Sequence, residues 1–237
     1  MANKEEQVKS IPREIMEWIG CIVAAFVLAV FIKYFLFTPT LVQMSSMYPT
    51  IFSGERVFVN RLIRTFKIAL NRGDIITFEA PSSEASTRNM LEGKVEASYF
   101  DRKGFEWFTY NVLEINKISY IKRVIGIAGD HIVIDDGKVY LNDELLDESN
   151  YLPDGTETYI RSNGIKKDFI VPEGYLFVMG DNRPGSQDCR AFGCIPIEKV
   201  EGRVVGRIWP LTKFGKITKS NITSDEVNKY NGERTGI

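Results

Sequence analysis

Hydrophobic and polar positions divide the chain into an apolar block near one end and a long alternating region after it. Residues 1–17 are polar, with Lys4, Lys9 and Arg13 among them, and from Trp18 to Phe37 the run is apolar except for Lys33. At 1.5 Å per residue, about 20 such residues span a hydrocarbon core of roughly 30 Å, so residues 18–37 are expected to form a transmembrane helix. Lys33 lies close enough to the end for its stem to reach the interface, and Trp18 and Tyr34 suit the two interfacial belts. A buried core helix would show an amphipathic period, which this run lacks. A cleaved leader would be shorter, and Thr38-Pro39-Thr40 does not offer a small-x-small cleavage site. The segment therefore reads as an uncleaved anchor. Three basic residues precede it and only Arg56 follows closely, which points to a cytoplasmic tail at 1–17 and an exported remainder.

After the anchor the period changes to two. Segments 56–60, 74–79, 120–125, 131–135, 138–142, 174–179 and 203–209 are rich in β-branched and aromatic residues and are expected to be strands. Asp136-Gly137 between two of them is a tight-hairpin signal. No long amphipathic helix stands out beyond residue 70, so the exported part, 38–215, is expected to be mainly β, with partly accessory hairpins over about 131–170. Residues 82–118 break the pattern: charged first (Glu84, Arg88, Glu92, Lys94, Glu96), then aromatic (Tyr99, Phe100, Phe105, Trp107, Phe108, Tyr110). They read as a packed insertion or as a surface for a membrane or a partner. Residues 216–237 form a polar tail.

Composition narrows the chemistry. With 30 Lys+Arg against 31 Asp+Glu in 237 residues, there is no electrostatic footprint for nucleic acid. His131 is the single histidine, which restricts a Ser-His-Asp triad to one place and leaves zinc poorly served. Of three cysteines, Cys21 falls in the anchor. Cys189 and Cys194 sit close enough to pair in an oxidising compartment, although so small a loop strains the bond.

Three stretches carry candidate reactive groups. Leu41 to Thr50 contains Ser46 on a backbone that Pro49 keeps from continuing as helix at Tyr48. Lys122 lies in an alternating strand, facing the same way as Tyr120 and Val124, while Arg123 faces away with Ile121 and Ile125. An ordinary lysine is a poor base at neutral pH, but burial disfavours its charged form and lowers its pKa. Gly180 to Arg190 reads as a loop in which Asp181 and Asp188 pair with nearby guanidiniums.

These pieces, in this order behind an anchor, resemble bacterial type I signal peptidase, the membrane-bound Ser-Lys protease. The matching segments are Ser46-Met47-Tyr48-Pro49-Thr50, Gly73 to Phe78, Lys122 to Gly126 with Gly129-Asp130, and Gly180 to Gly193. The resemblance implies a signal-peptidase-like antiparallel β domain with an inserted subdomain behind the transmembrane helix. It implies Ser46 as nucleophile, Lys122 as general base, and Ser186 as the residue that orients Lys122. Asp181, Asp188 and Arg190 would fix their loop, Met47 would line the substrate pocket, and the Ser46 N–H would serve the oxyanion. Neither metal nor organic cofactor is implied. The implied partners are signal-peptide-bearing preproteins and the lipid bilayer of the cell membrane, with no nucleic acid, and the chain is expected to be a monomer.

The chain departs from the family pattern at Met44, where a glycine or hydroxyl residue is usual, at Ala128 for a proline and at Cys189 for a serine. Segment 82–118 is also longer than the family leads one to expect. Two rival readings remain open: a non-proteolytic helper in surface-fibre assembly on the same fold, and a self-cleaving Ser-Lys repressor. The anchor and the lack of a DNA-binding module oppose the repressor; intact Ser46 and Lys122 oppose the helper.

Overall fold

The computed structural model describes residues 11–82, 86–89, 92–160 and 164–217. The expected cytoplasmic tail, apart from residues 11–17, and most of the polar tail after Gly215 lie outside these residues.

Helix α1, Ile11–Phe35, contains a stretch from Arg13 to Phe35 that is long and apolar enough to cross a membrane. It is displaced from the expected 18–37. The polar turn before Trp18 stays helical, with Arg13 and Glu17 paired at i,i+4 and 3.5 Å apart. At the other end Thr38 Oγ1 donates to the Lys33 carbonyl at 2.9 Å, and Phe37 leaves the helix for strand β1, Phe37–Leu41. There Phe37 stacks on Phe58 at 5.0 Å. Hydropathy placed Phe37 in the anchor because an apolar residue suits a strand as well as a span.

The main sheet is antiparallel and seven-stranded, in the order β1-β2-β11-β3-β4-β9-β10. Its other strands are β2 (Arg56–Asn60), β3 (Ile75–Glu79), β4 (Ser119–Ile127), β9 (Tyr175–Met179), β10 (Ile195–Pro196) and β11 (Val200–Trp209). Pro39 cannot donate to a ladder, and β1 is an edge strand, where that loss is tolerated. A second sheet runs β7-β6-β5-β8, built from β5 (His131–Asp135), β6 (Lys138–Leu141), β7 (Glu144–Leu145) and β8 (Asp168–Ile170). Asp136 and Gly137, at φ 48° and 70°, close the β5–β6 hairpin as their residue types require. The architecture is mainly β behind an apolar helix, as the alternation indicates.

Two apolar clusters hold this frame. One joins both sheets through Ile76, Phe78, Val124, Ile132, Phe169, Phe177 and Val178. The smaller one, Val42, Met47, Ile51, Val57, Val59 and Ile75, lies behind the segment after β1. Short helices α2 (Leu62–Thr65), α3 (Gly104–Asn111) and α4 (Cys189–Phe192) decorate the sheets. Of the insertion, residues 95–97 are stitched to Cys194 by Ala97 N–H to Cys194 O at 2.8 Å and Cys194 N–H to Val95 O at 2.6 Å.

Candidate active site

Ser46 follows β1 in a turn that Tyr48 N–H closes onto the Ser45 carbonyl at 3.1 Å. Met47, one residue on, is fully buried in the smaller apolar cluster and pins the turn from below. From the other side the loop after β9 grips its backbone: Asn182 N–H donates to Ser46 O at 3.0 Å, and Asn182 Nδ2 to Ser45 O at 3.1 Å. Ser46 is thereby held at 3% exposure.

Lys122 reaches the same point from β4, where it is in register with Ile76 of β3. Its Nζ lies 2.6 Å from Ser46 Oγ and 3.0 Å from the Ile121 carbonyl, at 5.3 Å from the centre of the Tyr120 ring. Burial lowers its pKa from 10.5 to about 8, a fall that the negative charge of Asp188 partly opposes. At neutral pH a useful fraction of this amine is uncharged, and its lone pair then accepts the Ser46 O–H.

The loop from Gly180 to Arg190 is fixed by charge at three points. Asp188 accepts from Arg190 Nε and Nη2, both at 2.8 Å, and from the Gly180 N–H at 3.0 Å. Burial alone would raise the Asp188 pKa, but the Arg190 hydrogen bonds and charge outweigh it and hold the carboxyl below its ordinary value. Asp181 pairs outside the loop, accepting from Arg123 Nε at 2.9 Å and Nη2 at 2.7 Å and from the Thr50 hydroxyl. Arg183 also reaches outward, to Glu148 and, at 2.6 Å, to Thr158 Oγ1. Ser186 is buried in the loop beside Asp188, and its hydroxyl makes no hydrogen bond to Lys122.

Gly180 is where the pieces come closest. A Cβ there would stand 2.2 Å from Ser186 Oγ and 2.4 Å from Ser46 O, distances no packed side chain tolerates. Gly180→Ala is therefore expected to destabilise the fold by about 1–3 kcal/mol and to push the Ser46 backbone off Asn182. Thermal melting beside a peptide-cleavage assay checks this: unchanged values in both would mean the loop yields freely.

A buried serine hydroxyl against a buried, weakly basic lysine, braced by acid-guanidinium pairs, is an arrangement for acyl transfer. The sequence profile of the signal peptidase, peptidase S26, family matches residues 15–209. This chain belongs to the signal peptidase family. Signal peptidase IB of Staphylococcus aureus (strain COL) is 29% identical to it over 214 residues, 85% of this chain and 93% of that protein. Signal peptidase I T of Bacillus subtilis (strain 168) is 34% identical over 208 residues, 86% of this chain and 88% of that one. The crystal structure of a signal peptidase I from Enterococcus faecalis V583 is 27% identical, with a TM-score of 0.34 over 57% of this chain and 96% of that chain.

Several supporting residues escaped the sequence. Arg123 is one residue from Lys122 on the opposite face of β4, and its guanidinium both pairs with Asp181 and stacks on Tyr151 at 4.0 Å. Thr50, Glu148 and Tyr151 join the same network from three other segments. Only the short Thr50–Ser46 spacing could have hinted at it. Cys189 and Cys194 are buried free thiols, so the disulfide left open above is not formed. Cys189 Sγ accepts from Val178 N–H at 3.2 Å, and burial raises both thiol pKa values. His131 lies apart on β5, between Asp143 at 2.9 Å and Asp168 at 2.8 Å.

Proposed function

We propose that this chain is a membrane-anchored serine endopeptidase that removes signal peptides from exported preproteins through a Ser46–Lys122 dyad. The observation that carries the reading is the 2.6 Å contact between Ser46 Oγ and a buried Lys122 Nζ whose pKa is lowered to about 8. Neutral Lys122 takes the proton as Ser46 Oγ bonds to the scissile carbonyl. The Lys122 ammonium then protonates the departing amine, leaving the substrate acyl group esterified on Ser46. Water, deprotonated by Lys122, releases that acyl group and restores the serine. The Ser46 N–H, with no acceptor among the described residues, is free for the developing oxyanion. Met44, 55% exposed, offers no side-chain donor to help it.

The Asp181, Asp188 and Arg190 pairs act as supports in this reading and hold the loop against Ser46; Ser186, expected to orient Lys122, is packed beside Asp188 instead and backs the same loop. Met47, expected to line the substrate pocket, is wholly buried in the smaller cluster and so supports the Ser46 turn from beneath. Residues 18–35 of α1 cross the cell membrane with the N-terminus in the cytoplasm. The domain at 38–215, carrying the insertion at 82–118, works outside as a monomer. Anchor and substrate are then confined to one plane, which replaces a three-dimensional search by a lateral one.

Detergent-solubilised protein incubated with a preprotein tests this, alongside Ser46→Ala. Release of the mature protein by the wild type alone supports the reading, whereas an intact preprotein throughout would return the non-proteolytic assembly role. His131→Ala is expected to leave the cleavage rate and its pH profile unchanged, because the ring pairs with Asp168 and Asp143 far along the other sheet. Those partners raise its pKa. A loss of several orders of magnitude on replacing His131 would mean that histidine, not lysine, is the base.

A further inference from the structure

The insertion at 82–118 takes no part in the site above, yet its described residues carry six exposed large apolar side chains between 100 and 118. Helix α3 buries none of its residues. Phe105 is 80% exposed, and Trp107, Phe108, Phe100, Ile115 and Ile118 are all exposed as well. Phe105 and Phe108 stand one turn apart with rings stacked at 6.5 Å, so they present one apolar face rather than scattered residues. Such a face on a folded domain is costly in water and marks a contact surface.

What covers it follows from where it is tied. Glu114, three residues beyond the end of α3, accepts from Lys33 Nζ at 2.6 Å and from Arg61 Nη2 at 2.5 Å. Lys33 is in the last turn of α1, so Glu114 is fastened at the level where the anchor leaves the hydrocarbon. Arg64 adds a second tie, with its guanidinium 4.3 Å above the Tyr34 ring and donating to the Tyr34 carbonyl at 2.7 Å. Tyr34, Trp107 and Asn111 line one cavity of about 500 Å³, which brings α3 beside the same end of the anchor. At 1.5 Å per residue, an eight-residue helix is only about 12 Å long. No part of α3 can be far from the lipid boundary. Aromatic side chains at that depth lie favourably among headgroups and upper acyl chains.

We propose that α3 and the 112–118 turn are an interfacial collar, seated in the bilayer surface beside the C-terminal end of α1 with Phe105 and Phe108 inserted among the lipids. The partner is the phospholipid surface itself. This rests on the reading that α1 crosses the membrane, and holds for either orientation of the anchor. The collar adds a second attachment point, which fixes the tilt of the β domain over the membrane rather than leaving it to swing on one helix. A short interfacial helix with a polar face and an apolar face has the composition for that role.

Nitroxide labels on the full chain in phosphatidylcholine–phosphatidylglycerol vesicles test it. Cys21→Ser removes the exposed thiol, and the buried Cys189 and Cys194 stay unlabelled. Single cysteines are introduced as Phe105→Cys, Phe108→Cys, Phe26→Cys in the anchor and Lys138→Cys on the second sheet. The ratio of collisions with oxygen to collisions with a water-soluble nickel chelate is expected to be about threefold or more higher at 105 and 108 than at 138. Equal ratios at 105, 108 and 138, with a lipid-like ratio at 26, overturn the collar while leaving the anchor intact. Loss of access to both reagents at 105 and 108 overturns it too, since that marks a protein cover. A water-like ratio at 26 overturns the anchor, and the collar with it.

Discussion

Between pH 5 and pH 7 the kcat/KM for preprotein cleavage is expected to rise about tenfold per unit, bend near pH 8 and level off above it. Only neutral Lys122 can accept the Ser46 proton, and its pKa stands at about 8 against 10.5 for an ordinary lysine. The free-enzyme pKa of an essential base governs kcat/KM, so the limb reports Lys122 directly. Lys122→Ala is expected to cost about 10³-fold or more and to abolish the limb, since among the described residues no other base contacts Ser46 Oγ. Lys122→Arg is expected to be equally inactive although it keeps the positive charge, because a guanidinium stays protonated. Stopped assays over the pH range decide it. A bend near pH 10, or a limb that survives in Lys122→Ala, would sink the dyad.

Asp181→Ala is expected to be the most damaging single change to stability, at about 3–5 kcal/mol. Asp181 is wholly buried and accepts two hydrogen bonds from Arg123, itself almost buried, and one from Thr50. Removing the carboxylate leaves a guanidinium in a low-dielectric site facing the Gly73 carbonyl, the Thr50 hydroxyl at 3.5 Å and the Tyr151 ring, with no negative charge in contact among these partners. Denaturant unfolding reads the loss. Activity carries a separate signature: Asp181 also raises the Lys122 pKa, so without it the surviving enzyme's pH limb shifts towards acid. A variant as stable as the wild type, with an unmoved limb, would show that the pair is ornamental.

Local pattern made much of this molecule readable. Seven stretches of period two became strands because half-buried sheets need that alternation, and Asp136-Gly137 closed a hairpin because few other pairs accept two positive φ angles. Alternation also separated Lys122 from Arg123. The partners of Arg123 were not readable: Asp181 lies 58 residues away and reaches β4 through the β4–β9 pairing. Glu148 meets Arg183 across 35 residues from an irregular segment with no period to announce it. The end of α1 is not legible in hydropathy for a different reason, since Phe37 is apolar whether it faces lipid or stacks on Phe58. The Ser46 motif was legible only in company: the serine, the lysine and the Gly180 loop each look ordinary alone.

That dispersal bears on how the chain behaves while it is being made. Ser46, Lys122 and Asn182 come from three distant stretches, and the last must wrap the first before the hydroxyl is held. In a half-folded chain Lys122 is hydrated and titrates like any lysine, so at pH 7 its neutral fraction is about 0.03% rather than about 10%. The shift that would let Lys122 act as the proposed base thus exists only in the completed domain. On the proposed dyad, a nascent or misfolded copy is a chemically blunt instrument, because its base is still protonated. Recovery of cleavage during refolding would accordingly trail the closure of β9 onto β4 and serve as a late, all-or-none reporter of assembly.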